Sequence, residues 1–347
     1  MIASRTPVVG PSAWRAADFA GPEAYTVRLT GAHHAAFREV LRARRARGGP
    51  IEALTAADVP LRPIAADVAA WRDEVLRGRG FVVLQGLDPD RYPPDELETI
   101  FWALGAHLGR AVSQSAMGDL IGHVTDVGGQ DRRERAYRNS RELSMHTDRC
   151  DVIGMLCLRP ARRGGVSGYA SAHAIHNELL ASRPERLEPL FRGFRYHRRG
   201  EELPGEPPIT PERVPVLSEC QGVLSVVYLR AYMEMAAEAL GEPLSPDEVA
   251  ALDAFEAVAN RPDVKLSFTM AAGEAIFFNN CSMLHNRTAF EDDPDPARKR
   301  HLLRLWLMLD GARPLAPAVH AYKGTRGIEA QAGRSTYYTG AALPRTY

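Results

Sequence analysis

Cysteine is scarce in this chain: Cys150, Cys157, Cys220 and Cys281 are the four in 347 residues. No two form a Cys-x-x-Cys pair, and their spacing sets out no regular frame. They read as ordinary thiols of a reducing compartment. An excess of charge of either sign is missing too. Lys+Arg and Asp+Glu both total 43, leaving no net field to draw the chain to nucleic acid or to an anionic membrane. Nowhere do 18 apolar residues run together, and Met1 to Trp14 holds no apolar segment of signal-peptide length. No internal repeat or low-complexity linker divides the chain. These absences predict a cytoplasmic protein without nucleic-acid or membrane partners, folded as one domain over residues 1–347, and they leave a homo-oligomer open. The 45% hydrophobic and 25% charged residues are those of a globular protein with a proper core.

Local patterns divide the chain coarsely. Helical stretches are expected at 31–47, 65–77 and 93–108, the first of them crowded with arginine and read as a solvated face. A short apolar run closed by glycine, Phe81 to Leu87, reads as a buried strand. Residues 109–145 look loop-rich with a strand fragment at 121–124, and 128–141 would suit a mobile segment. Strands follow at 152–158, 264–269, 273–280 and 300–309, with a helix at about 172–180. Residues 231–262 form a helical insertion. Its second helix opens on Ser245-Pro246-Asp247-Glu248, a Ser N-cap with Pro at the first helical position and Glu three after the cap. The tail from Ala312 is expected to wrap the surface. The fold class is therefore mixed α+β with a mainly β core: helices over 1–80, an antiparallel jelly-roll over 81–310, and a tail over 311–347.

Chemistry concentrates in Ser144-Met145-His146-Thr147-Asp148. On an extended strand His146 and Asp148 point to one side and Thr147 to the other, so an imidazole and a carboxylate face one ion. Taken alone, His-x-Asp is more often a surface hydrogen-bonding pair than a metal site. The leading third ligand is the distant His285. Two histidines and a carboxylate on one face of an octahedron leave three positions open, as in non-haem Fe(II) oxygenases. In the 300–309 strand, one face is His301 and four leucines and must be core. The other carries Arg300, Leu302, Arg304, Trp306 and Met308. Guanidinium groups on a rigid strand suit bidentate capture of carboxylates, the plainer reading being a pair on a solvent-facing edge.

With these residues in view, the chain resembles the taurine dioxygenase/TfdA family of Fe(II)- and 2-oxoglutarate-dependent oxygenases. The likeness rests on His146-Thr147-Asp148, on His285 within His-Asn-Arg-Thr-Ala-Phe-Glu-Asp-Asp, and on Arg300-His301-Leu302-Leu303-Arg304-Leu305-Trp306-Leu307. Segments 80–87, 164–167 and 273–278 add to it. The resemblance implies a double-stranded β-helix and iron ligands His146, Asp148 and His285. It also implies Arg300 on the distal carboxylate of 2-oxoglutarate and Arg304 facing the co-substrate or substrate. Ser167 falls where many relatives place a threonine that hydrogen-bonds 2-oxoglutarate. The acidic stretch 291–295 loosens the register, so that slips of one or two residues would favour Lys299 or Arg298; Arg300 is preferred because it shares a strand face with Arg304. Fe(II), 2-oxoglutarate and O2 are the implied cofactors, and C–H oxidation of a small polar substrate, such as an amino acid or another carboxylate, is the implied reaction. Since related halogenases have a small residue in place of the carboxylate, Asp148 favours hydroxylation or desaturation.

Other features have plainer readings. His173 and His176 lie three apart on a helix, but with no third ligand suggested nearby they read as surface or capping residues. Asp151 reads as structural, and Asn279 and Asn280 as turn formers. Asn139, Tyr228 and Arg230 are weak candidates for the substrate side. Gly164-Gly165 is a turn without the spacing of a phosphate loop. A zinc-dependent hydrolase or lyase on the same His-Asp-His set, and a non-catalytic ligand-binding jelly-roll, are the competing readings. The first gives the arginine pair no task.

Overall fold

Strands of the core read differently on their two faces, and a computed structural model, which describes residues 6–128, 134–334 and 336–337, shows what each face meets. The larger sheet runs in the order 26–28, 81–85, 274–279, 152–159, 301–308, 110–114, 327–328, with 121–124 also pairing to 301–308. The two outermost pairings are parallel and those within are antiparallel. The smaller sheet runs 266–268, 167–171, 283–287, 143–146, all antiparallel. The structure thus has the expected jelly-roll core, with additional parallel pairings at both edges of the larger sheet.

Three apolar clusters fill the layers. Leu303, Leu305 and Leu307 pack beneath the helices Gly31–Arg47, Ala65–Leu76 and Pro94–Leu108, together with Val82, Leu84 and Phe277. Trp306, Leu302 and Met308, from the opposite face of the same strand, meet Tyr169 and Met283 of the smaller sheet in the space between the sheets. Met145, Ala170 and Leu284 turn outward from the smaller sheet under the helices Ala172–Ser182, Arg230–Leu240 and Pro246–Ala259. Period-two alternation therefore assigns the leucine face of the last long strand to the helical layer and its arginine face to the interior.

Individual elements follow their local chemistry. Ser245 Oγ accepts from the Glu248 N–H while a Glu248 carboxylate oxygen accepts from the Ser245 N–H, which is the expected capping box. Gln221 and Gly222 both take positive φ in the two-residue turn joining 217–220 to 223–226, the backbone a twisted hairpin requires. Strands 110–114 and 283–287 carry no alternation strong enough to announce them. Part of the segment 128–141, and the end of the chain beyond 337, lie outside the described residues.

The tail departs from expectation. Val319, Tyr322, Lys323 and Ile328 are buried, and Gly327–Ile328 pairs in parallel with Ser113 and Gln114. Lys323, 2% exposed, forms an ion pair with Asp151, whose other oxygen accepts from the Leu309 N–H at 2.9 Å. Asp151 is structural, as its sequence context suggests, and it fastens the tail inward. Lys323→Met leaves that carboxylate buried without its counter-charge. It is expected to destabilise the fold by about 3–5 kcal/mol, read as a lowered urea midpoint; an unchanged midpoint would show the pair to be dispensable.

Candidate active site

Two imidazoles meet because of strand register. His285 sits directly opposite His146 across the antiparallel pair, so both side chains enter the same interior face. Their ring centroids are 4.1 Å apart. A bulge separates this pair from Arg287 opposite Leu143, an irregularity that re-aims side chains beside a site. His146 Nδ1 lies 2.8 Å from the Ser144 carbonyl oxygen, which fixes the proton there and leaves Nε2 with its lone pair.

Asp148 arrives by another route than the one the spacing implies. The strand ends at His146, because Thr147 leaves the ladder to bond Tyr228: its N–H donates to the Tyr228 carbonyl at 2.7 Å and its Oγ1 accepts from the Tyr228 N–H at 2.8 Å. Asp148 therefore stands on the loop beyond. Asn280 holds that loop, accepting from the Asp148 N–H at 2.9 Å and donating to the carbonyls of Asp148 and Cys150 at 2.7 and 2.8 Å. The Trp306 indole N–H donates to Asp148 Oδ2 at 3.1 Å. So held, the carboxylate lies 3.9 Å from His146 Nε2 and 3.8 Å from His285 Nε2. Candidate ligand atoms of the three residues all lie within 4.8 Å of one another.

Electrostatics favour the forms a metal takes. Burial drives the His146 pKa below the usual imidazole value, against the attraction of Asp148. Burial, with His146 beside it, drives that of His285 lower still. For Asp148 burial opposes ionisation, but Arg304, the two imidazoles and Arg135 outweigh it and hold its pKa below the usual carboxylate value. Two neutral imidazoles and one carboxylate result, the states in which these groups bind a divalent cation.

The two arginines occupy different surroundings. Arg304, 6% exposed, donates through Nε to Gln114 Oε1 at 2.6 Å and brings Nη1 to 3.6 Å from Asp148. Its guanidinium lies 4.4 Å from the Tyr137 ring centroid. Arg300, 4% exposed, packs over Phe290 and has no carboxylate within 4 Å of its guanidinium among the described residues. Its backbone N–H donates to Asp292 and its Nη1 has no hydrogen-bond partner. A buried cation so placed is costly unless an anion joins it. Gly164 and Gly165 have φ near 70° and 66°, and a Cβ at Gly165 would stand 3.3 Å from Arg300 Nε. The glycine pair thus combines a left-handed turn with close approach to the arginine. Ser167, two residues on, opens the strand whose Tyr169 lies opposite His285.

The remaining candidates separate clearly. His173 and His176 are buried rather than on the surface, and His173 bridges Ser12 and the Leu224 carbonyl. Arg230 joins Glu234, Asp253 and Glu256 in a salt-bridge cluster on the helical layer and is not among the residues that line the cavity. Tyr228 is buried against Phe255, and Asn139 is buried with its carbonyl held by Arg287. Asn280 closes a turn and holds the Asp148 loop as well. A cavity of about 50 Å³ opens beside His146, Asp148 and Arg304. Its walls include Arg135, Arg149, Arg199, Glu201, Tyr232 and Tyr322, none of which the motif spacing marks. Arg149, next in sequence to Asp148, is the one that adjacency alone brings to attention. Arg199 has positive φ, 60°, a rare backbone state for a residue with a side chain.

A family model for taurine catabolism dioxygenase TauD, TfdA family, matches residues 46–306. FR-33289 synthase of Streptomyces rubellomurinus is 30% identical over 325 residues, spanning 92% of this chain and 95% of that protein. The taurine hydroxylase-like protein SAT17 of Stachybotrys chartarum is 30% identical over 312 residues, spanning 86% and 79%. Among solved structures, an asparagine oxygenase in complex with Fe(II), hydroxyasparagine and succinate superposes with a TM-score of 0.63 at 19% identity, covering 82% of this chain and 93% of that one. The fold likeness supports the jelly-roll reading, and membership favours an oxygenase over a zinc hydrolase or a non-catalytic binder. The chain belongs to the TauD/TfdA family of Fe(II)- and 2-oxoglutarate-dependent dioxygenases.

Proposed function

We propose that His146, Asp148 and His285 hold the ferrous ion, that Arg300 and Ser167 receive 2-oxoglutarate, and that the enzyme hydroxylates a small polar substrate in the cavity beside Arg304. The observation that carries this reading is the convergence of three candidate ligand atoms, two of them from residues lining a cavity, in a fold that also buries Arg300 without a carboxylate partner among the described residues. Bound there, ferrous iron and 2-oxoglutarate supply the power to oxidise an unactivated C–H bond, with the co-substrate decarboxylated to succinate.

The chain's own residues supply geometry. His146 and His285 present Nε2 from facing strands, while Asn280 and Trp306 set the angle of Asp148 from outside the ligand set. Arg304, braced by Gln114, keeps Asp148 ionised and presents its face to Tyr137. The depth of Arg300 matches a carboxylate swallowed whole rather than one at the cavity mouth. We read residues 1–347 as one oxygenase domain. All four cysteines are free thiols and three are buried, which supports a cytoplasmic setting; no helix among the described residues is long and apolar enough to cross a membrane.

Anaerobic titration of the protein with Fe(II) and then 2-oxoglutarate tests the assignment. A weak visible charge-transfer band is expected in the wild type and is lost in Arg300→Ala at the same co-substrate concentration. Retention of the band would move the carboxylate site elsewhere. For Trp306→Phe, which removes the indole donor to Asp148 and little else, Fe(II) affinity or turnover is expected to fall roughly 10- to 100-fold. Unchanged iron binding and unchanged turnover together would reduce Trp306 to a packing residue.

A further inference from the structure

The strand Ser167–Ser171 leads from the buried arginine of the smaller sheet's edge toward the candidate triad. Gly165, just before it, approaches Arg300 closely, and Tyr169 stands opposite His285. Ser167 and Tyr169 are two residues apart and so share one face of the strand, the face that looks into the space between the sheets. The Tyr169 ring is fixed on two sides. It stacks on Phe268 with centroids 5.4 Å apart and meets Phe278 edge-on at 5.2 Å, while Phe278 lies 5.0 Å from the His285 ring. Phe268 is the register partner of Ser167, not of Tyr169. The tyrosine therefore leans back along its strand, from the His285 position toward Ser167.

The hydroxyl end follows the lean. A hydrogen bond from the Ser167 side chain reaches the phenol, and the Arg300 charge acts on it. Tyr169 is 3% exposed, and burial raises its pKa against both influences, so the phenol keeps its proton. A protonated phenol that accepts from Ser167 still has its own O–H to donate. The serine gains as well: without a β-branch its hydroxyl would turn freely, and the bond to Tyr169 fixes it. Cys157 and Asp292 also border the Arg300 guanidinium. A thiol is a weak donor and a carboxylate only an acceptor, so neither can do for an incoming anion what the phenol can.

We propose that Tyr169 selects the co-substrate. Its hydroxyl, beside that of Ser167, donates to the distal carboxylate that Arg300 receives, so the pocket distinguishes a 2-oxo dicarboxylate from a 2-oxo acid of equal length ending in a methyl group. This rests on the assignment of iron and 2-oxoglutarate to the neighbouring residues. Phe268 and Phe278 hold the ring in the attitude that the contact needs.

The test uses full-length protein loaded anaerobically with Fe(II). It is titrated separately with 2-oxoglutarate and with 2-oxovalerate, which carries a methyl group in place of the distal carboxylate, and the visible chelate band gives each dissociation constant. In Tyr169→Phe, which keeps the ring between Phe268 and Phe278, the constant for 2-oxoglutarate is expected to rise roughly 10- to 100-fold. That for 2-oxovalerate is expected to stay unchanged, so the preference for the dicarboxylate falls by the same factor. Ser167→Ala is expected to act in the same direction, and the double variant to lose less than the product of the two, because the hydroxyls are bonded to one another. An unchanged preference in Tyr169→Phe overturns the inference. Equal weakening of both acids, or loss of both bands, also overturns it, since the tyrosine then acts through packing. The underlying assignment is judged by other results: a wild type that forms no band, or a preference undiminished in Arg300→Ala, removes the carboxylate site itself.

Discussion

One cross-strand register governs the site. His285 stands opposite His146 because strands 143–146 and 283–287 pair as they do, and a slip of one residue would turn one imidazole toward the helical layer. That register is pinned from both sides of the sheet. Met145 and Leu284 are locked in the outer apolar cluster, and Met283 in the inner one. The placement of the two candidate metal ligands is therefore a consequence of hydrophobic alternation, and the helices that cover the sheet stabilise the site from behind, one of them lending Tyr232 to the cavity wall.

The carboxylate obeys a different constraint. His-x-Asp looks like two side chains on one strand face, yet the strand stops at His146 and Asp148 is placed by side chains from afar. Thr147 is turned away into Tyr228, Asn280 clamps the loop at three backbone atoms, and Trp306 reaches across from the larger sheet. The motif thus names the residues while the mechanism that aligns them is tertiary. Loop placement leaves the carboxylate's angle dependent on Asn280 and Trp306, which is why single polar contacts outside the ligand set matter here.

Much of this was readable in advance. The leucine and arginine faces of the last long strand alternate so strictly that its two environments could be assigned by period alone, and the capping box at Ser245 located a helix start from four residues. What escaped was non-local. The strand 283–287 is short and without clear alternation, and although the turn formers Asn279 and Asn280 precede it, only its partners make it a strand. The tail reads as surface because glycine and proline punctuate it, yet Lys323 finds a buried carboxylate 172 residues away. The cavity walls come from five separated parts of the chain, so no window of sequence holds the pattern.

Charge accounting separates the arginines where sequence presents them alike. Arg300 and Arg304 are four residues apart on one strand face, but Arg304 already has Asp148 and Gln114 whereas Arg300 has an unpartnered Nη1 against Phe290 and the Gly165 turn. Arg300 is thus the buried member of the pair whose charge no carboxylate of the described residues meets. Left so, it would carry an electrostatic penalty with no compensation. The carboxylate of the proposed co-substrate would remove that penalty. Its binding would also lower the field that opposes a cation at the proposed triad, so that anion and metal would assist one another's entry.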